Sequence, residues 1–546
     1  MKKTNWFLIF VLVIATLLRL PYLNNHMSSL YGDEIAIGYN ALSIVKTGRD
    51  EFGKFMPLQF QSWGDQKNPV YIYAVALVQL ITGPTSASVR IPSALAGILA
   101  IYLTYRLMIL LKLSEGSAIM AALLLAMTPW HIHISRGGYE ANLALTLGLA
   151  SVYCLLKKKN LWSVFYLVLA CYTYYTTKMF APMLLGFVWI WSIWGQKIST
   201  WIKPFIIYWF TVFILAMPII YLALFANGQA RFFAINIFNN PLTENQVIRG
   251  RNFFENPNSL TAKVLENRYV YHFLDFTTYY FDNFSGQFLL VGGDSNVRYG
   301  LANHGMLYML DAPLILFGIM LMYKKNKRVT LLFLAWILLA PLPTALVGKA
   351  YGLRSLAMLP IPQIFAGFAL YEFIVWSKIS RMRSLLFTVF SMLYLLSFGN
   401  WIMRYIYQYP TYGSYWYDSV MLEAIDYAKA REDNYDNIII TQSYGETSMY
   451  FAYYNHIDPR IYREAKSNKL IIDGVPMIKL GKYYFGDIRP KGPLSQMDIP
   501  SNTLLIVEPL FEYVEDSINA RDDGRTLYRV FSFPTKEMKA KEGRSK

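Results

Sequence analysis

Two adjacent carboxylates, Asp33 and Glu34, follow Tyr31-Gly32 and open a segment, 35–45, in which Ile37, Ala41, Ile44 and Val45 share one helical face. They fall in the first turn of an expected helix, where two roles are open to them. Acids at a helix N-terminus cap its free amides and complement its dipole. A carboxylate beside low-dielectric surroundings instead has its pKa raised toward neutrality, which suits Asp33 to act as a general base on a hydroxyl or amine nucleophile.

Cations form the second set. Lys67 stands in Trp63-Gly64-Asp65-Gln66-Lys67-Asn68-Pro69, and Arg136 in His131-Ile132-His133-Ile134-Ser135-Arg136-Gly137-Gly138-Tyr139-Glu140. Lys178 follows Tyr172-Thr173-Tyr174-Tyr175-Thr176-Thr177, and Arg354 follows Lys349-Ala350-Tyr351-Gly352-Leu353. Each has a plain alternative: snorkelling for Lys67, Lys178 and Arg354, and an i,i+4 ion pair with Glu140 for Arg136. Gathered opposite Asp33, the four would instead form a basic pocket that fits a lipid phosphate. His131 and His133 are two apart and face different sides of a helix, which disfavours a metal site there. In Gly292-Gly293-Asp294-Ser295-Asn296-Val297-Arg298, a polar turn, Arg298 is expected to order its loop.

The elements that must position these residues follow from composition. Of 546 residues, 55% are hydrophobic and only 16% charged, against about 25% in a soluble chain, and mean hydropathy is +0.29. Apolar stretches recur along the chain, so it reads as a polytopic α-helical membrane protein. Disorder, collagen and a disulfide scaffold are excluded; Cys154 and Cys171, the only cysteines, lie in apolar stretches. No phosphate loop, His-Glu-x-x-His helix or Gly-x-Ser-x-Gly elbow occurs, so soluble-nucleotide chemistry is unsupported.

The net charge of +16 is an orientation signal. A first span over about 6–20 follows Lys2-Lys3 without a small-x-small cleavage site and is expected to remain uncleaved. About 70–81 is too short to cross about 30 Å of hydrocarbon and reads as a helix on the outer surface. Ten further spans are expected, at about 89–111, 117–134, 141–156, 161–176, 179–195, 203–225, 306–323, 329–347, 353–375 and 384–406. With about eleven spans in all, Lys112, Lys157 to Lys159, Lys197, Lys203, Lys324 to Arg328 and Lys378 to Arg383 face the cytoplasm. The N-terminus is then cytoplasmic and the C-terminus extracytoplasmic. A nucleic-acid partner is not expected.

Residues 1–406 form the expected transmembrane catalytic domain, including the outer loops 22–88 and 227–305. Residues 407–546 form an expected extracytoplasmic α/β domain, with a helix over Val420 to Ala430, strands over 437–441 and 502–507, and a fraying charged end over 536–546.

The motifs resemble the membrane glycosyltransferases of the C-type fold, in the protein O-mannosyltransferase and aminoarabinose-transferase branch called glycosyltransferase family 39-like. Asp33-Glu34, Lys67 with Pro69, Val89-Arg90-Ile91-Pro92-Ser93-Ala94-Leu95 and Ser135-Arg136 with Glu140 carry the resemblance, mainly over 1–200. Gly293 to Arg298 and Leu353 to Pro360 extend it loosely. It implies inverting transfer of one sugar from a polyprenyl-phosphate donor to a protein, lipid or glycan acceptor on the outer face of a bacterial or archaeal membrane. By that likeness Asp33 is the base, Glu34 supports the acceptor or the base, and Lys67, Arg136, Lys178 and Arg354 hold the donor phosphate.

One departure concerns the second acid, which the family pattern places just before the lysine. Gln66 stands there, and Asp65 is the substitute one position earlier, with Glu140 a further acceptor-side or supporting acid. An anionic leaving group needs fixed cations rather than an acid, so the scheme requires no metal. Related enzymes that use lipid diphosphates often employ a divalent ion, and Asp33-Glu34 do not exclude one. A polysaccharide polymerase or ligase, a transporter and a membrane scaffold are the competing classes. A transporter would place its charges inside the spans, whereas these lie at the outer boundary.

Overall fold

The computed structural model describes residues 3–25, 29–62, 65–225, 236–488, 497–508, 516–519, 524 and 526–533. Its contacts divide the chain into two compact units. In chain order the first helices are α1 (Lys3–Arg19), α2 (Gly32–Thr47), α3 (Pro69–Thr82), α4 (Ser86–Leu110), α5 (Glu115–Met127), α6 (Pro129–Arg136), α7 (Glu140–Leu156), α8 (Asn160–Cys171), α9 (Thr177–Ile193) and α10 (Ile198–Phe225). Then come α11 (Asp311–Lys325), α12 (Lys327–Leu339), α13 (Ile361–Ser377), α14 (Arg381–Met403), α15 (Ser419–Lys429), α16 (Thr447–Tyr454) and α17 (Pro459–Ser467), with shorter helices between them.

The first unit, Met1–Pro21, Gln61–Tyr71 and Arg90–Ile402, is helical because apolar segments in lipid must satisfy their backbone internally. Every expected span falls on a helix. Among the described residues five helices are long and apolar enough to cross a membrane, or six if the bent pair α5 and α6 is one span. The others are short: twelve residues of α8 rise about 18 Å, well under the hydrocarbon thickness of about 30 Å. The chain is an integral membrane protein with a partly exposed apolar surface. Only 11% of the α10 window is buried, and Phe210, Phe213 and Leu215 face outward from it.

The 57° bend between α5 and α6 has a local cause. Pro129 has no N–H for the Leu125 carbonyl, and Trp130 N–H turns to Met306 O at 3.2 Å instead of to Ala126. Arg19, fully buried at the end of α1, supplies the missing donors: its guanidinium reaches Ala126 O at 3.0 Å and Leu125 O at 3.4 Å. It also lies 2.9 Å from His131 Nδ1. In return Arg136 caps α1, donating to Leu18 O at 3.1 Å and Pro21 O at 3.0 Å. Two arginines thus clasp two helix ends, each satisfying the other helix's orphan carbonyls.

The second unit comprises Tyr22–Phe60, Ile72–Val89 and Met403–Lys546. Most of residues 22–88 therefore packs with the tail. Its strands are β3 (Asn437–Thr441), β4 (Leu470–Ile472), β5 (Val475–Leu480), β6 (Tyr483–Gly486), β7 (Thr503–Val507), β8 (Asp516–Asn519) and β9 (Thr526–Phe533); β1 (Phe60–Ser62) and β2 (Asp65–Lys67) pair separately. The seven-stranded sheet runs β4-β5-β6-β3-β7-β9-β8, with β3 parallel to both β6 and β7. The continuous run Ile438-Ile439-Ile440 is buried, as a parallel strand covered on both faces requires. Ile439, Leu505, Val507 and Phe531 form its core.

The tail also changes α2. Instead of one apolar stripe, every residue from Glu34 to Ser43 is buried. Gly38 makes the close approach possible, since a Cβ there would lie 2.9 Å from the Val89 side chain and 3.1 Å from the Tyr453 ring. Gln79 fastens the contact, donating to Gly38 O at 3.1 Å and to the Tyr453 hydroxyl at 3.2 Å.

Candidate functional site

In the second unit, α2 begins at Gly32, so Asp33 and Glu34 occupy its first turn as the spacing predicts. The two acids separate in role. Glu34 is fully buried and its Oε2 accepts the Tyr31 backbone N–H at 3.3 Å, a capping contact. Asp33 is only half-buried and is the more accessible carboxylate. A third acid, Asp418, accepts the Gly32 N–H at 2.9 Å and the Tyr450 hydroxyl at 3.1 Å. Sequence reasoning missed Asp418, which is 386 positions away from Gly32 and carries no local motif. The Tyr31 ring packs edge-on against Tyr417 at 5.9 Å, closing the same corner.

In the first unit the cations are organised by the turn between α8 and α9. Lys67 ends β2 and is 5% exposed. The Tyr175 hydroxyl donates to the neighbouring Gln66 carbonyl, and Val70 N–H reaches Tyr172 O at 3.4 Å. Lys178 Nζ lies 4.3 Å over the Tyr175 ring, so one tyrosine holds the strand of Lys67 and the ammonium of Lys178. Tyr174 and Thr177 of this turn line a narrow crevice with Arg354. The same crevice is lined by Leu145, Leu184 and Trp336, so one cation stands beside apolar side chains.

Arg354 is fixed from behind, its guanidinium 4.8 Å over the Tyr351 ring. Asp294, also overlooked in the sequence as a site residue, is buried nearby and accepts N–H groups from Gly352 at 2.5 Å and Asn296 at 2.7 Å. Burial raises its pKa to about 6, against the pull of those two hydrogen bonds and of Arg354. Gly352 packs tightly here: a Cβ would lie 2.3 Å from the movable Met306 methyl, 3.1 Å from Tyr299 O and 3.2 Å from the Asp294 carboxylate. The loosely matching segments 293–298 and 353–360 thereby meet. Arg298 orders its loop through its carbonyl, which accepts the Tyr139 hydroxyl at 2.7 Å and lies 2.9 Å from His133 Nε2.

Other expected residues are placed differently. Gly137 ends α6 with an extended backbone and α7 starts at Glu140, so Arg136 and Glu140 do not share a helical turn. Arg136 has two of its nitrogens on the end of α1, while Lys67, Lys178 and Arg354 gather around the 172–178 turn. Trp63 and Gly64 lie outside the described residues, as does the end over 536–546, and of Asp65 only the backbone, opening β2, is described. Among the described residues no group of three or more His, Cys, Asp or Glu side chains is arranged to hold a metal.

No protein-family model matches the chain. Over 149 residues, 27% of its length, it is 34% identical to a protein of Bacillus subtilis (strain 168) named "Putative mannosyltransferase YycA". The match spans about a fifth of that relative, 21% of its length. Among solved structures the chain is similar to ArnT from Cupriavidus metallidurans, solved in the apo state and bound to undecaprenyl phosphate, with TM-score 0.47 and 12% identity over 97% of this chain and 98% of that one. It is also similar to the Archaeoglobus fulgidus oligosaccharyltransferase, with TM-score 0.47 and 15% identity over 83% of this chain and 64% of that one.

Proposed function

We propose that the protein is a membrane glycosyltransferase that moves one sugar from a polyprenyl-phosphate donor to a hydroxyl or amine acceptor on the outer face of the membrane, with inversion. The observation that supports this reading is a small crevice whose lining sets Arg354, Tyr174 and Thr177 beside the apolar Leu145, Leu184 and Trp336. A phosphate with a long isoprenoid tail has that polarity pattern. The 34% identity to the mannosyltransferase-named relative supports the reaction class.

In this reading Lys67, Lys178 and Arg354 hold the donor phosphate and Arg136 shapes the region from the end of α1. The acceptor oxygen or nitrogen attacks the anomeric carbon as the bond to the phosphate oxygen breaks, and Asp33 takes the acceptor proton. Polyprenyl phosphate leaves as an anion, so the fixed cations lower the barrier without an acid or a resident metal. Glu34 and Asp418 hold the first turn of α2, keeping Asp33 presented. The chain crosses the membrane eleven times with the N-terminus inside and the 407–546 domain outside.

Reconstituting the full chain in vesicles and offering a panel of polyprenyl-phosphate sugars together with protein, lipid and glycan acceptors tests the reading. Sugar-dependent release of polyprenyl phosphate is expected with at least one donor. Release with none of them, from protein whose folding is verified, would refute it. Labelling of the tail by an impermeant reagent only from the cytoplasmic side would overturn the orientation.

A further inference from the structure

We infer that a second cavity of the first unit, at the ends of α4, α7, α9 and α11, binds the phosphate-bearing headgroup of an anionic phospholipid. It is lined by Lys112, Lys158 and Arg328 with Trp189, Trp191 and Trp201, and no Asp or Glu lines it. Its volume of about 590 Å³ lies within the range of small-molecule sites, about 300–1,000 Å³. These turns are the lysine-rich ones, which the positive-inside rule assigns to the cytoplasmic face. The inference does not depend on the transferase reading.

Two observations go beyond a cluster of charges. Arg328 is built in place: its Nη2 donates to Trp191 O at 2.6 Å, the Trp191 indole donates back to Arg328 O at 2.8 Å, and the guanidinium lies 4.8 Å over that ring. The second is the aromatic wall: Trp189, Trp191 and Trp201 line the cavity beside the cations. A phosphate seated in the cavity would neutralise the three cations together. Leucines and tryptophans complete the wall, which suits a headgroup at the interface with its glycerol and upper acyl carbons against apolar surface.

The test uses the full chain in detergent, titrated with phosphatidylglycerol, with phosphatidylcholine of the same chain length, and with inorganic phosphate, with bound lipid read by native mass spectrometry. Phosphatidylglycerol is expected to bind about tenfold more tightly than phosphatidylcholine and to resist displacement by inorganic phosphate. Lys112→Gln with Lys158→Gln should weaken phosphatidylglycerol roughly 25-fold, about fivefold per cation. Lys378→Gln with Arg381→Gln, two cations of another lysine-rich turn, should leave it unchanged. Equal losses from the two charge pairs, no preference between the lipids, or displacement by inorganic phosphate would overturn the proposal.

Discussion

The Asp418 carboxylate accepts the backbone N–H of Gly32, the residue before Asp33, at 2.9 Å. A residue of the tail thus fixes the start of the helix that carries the proposed base. Asp418→Ala removes a charge-assisted hydrogen bond worth about 1.5–3 kcal/mol and loosens that turn. The turnover rate should fall roughly tenfold with little change in donor KM, and Asp418→Asn should recover most of it, measured as initial rates of polyprenyl-phosphate release.

Arg19 supports the bend between α5 and α6. In Arg19→Met the Leu125 and Ala126 carbonyls lose their donors in a buried place, at a cost of about 1–3 kcal/mol each. Thermal unfolding in detergent should show a clearly lower midpoint, and Arg19→Lys should recover part of it, because one ammonium cannot span both carbonyls and His131. A midpoint equal to wild type for the Met variant would remove the clasp from the account.

Asp294 predicts a pH dependence whose sign follows from its raised pKa of about 6. Between about pH 4 and pH 6 the unfolded carboxyl has already lost its proton while the folded one keeps it, so folding stability falls as pH rises through this window. The loss attributable to this group is at most about 3 kcal/mol. Asp294→Asn retains an acceptor for Gly352 and lacks the titration. Denaturant unfolding from pH 4 to pH 7 should therefore show wild type declining relative to the variant as pH rises.

In the second unit, Lys466 Nζ lies 3.1 Å from Glu51 and 3.3 Å from Glu446, and Asn40 donates to Glu51 at 3.0 Å. Burial raises the Glu51 pKa and Lys466 opposes the rise. Lys466→Met strands a buried carboxylate, costing about 3–5 kcal/mol at neutral pH. The deficit should shrink as pH falls and Glu51 takes a proton, and Lys466→Met with Glu51→Gln should be more stable than the single variant. A deficit that stays constant with pH would count against the pair.

Local patterns were legible in the sequence and long-range partners were not. The helix opening at Asp33, the short helix near 70–81 and the strand at 437–441 rest on periodicity and apolar runs, which the backbone follows directly. Arg136 shows the limit. Its four-residue spacing to Glu140 assumed one continuous helix, but Gly137 ends that helix, and two of the guanidinium nitrogens serve carbonyls at the end of α1. Asp418 and Asp294 were missed for the same reason, since each serves a backbone N–H far away in sequence. For Asp294, the neighbouring glycines and Asn296 marked a turn without showing that the turn folds onto Gly352.

The central claim is that Asp33 removes the acceptor proton while fixed cations hold the donor phosphate. Its most direct test is single-turnover sugar transfer by reconstituted wild type and Asp33→Asn, with donor binding measured on the same samples. The account predicts a rate lower by about 10²–10⁴-fold with donor affinity unchanged. Transfer by Asp33→Asn at the wild-type rate would contradict it.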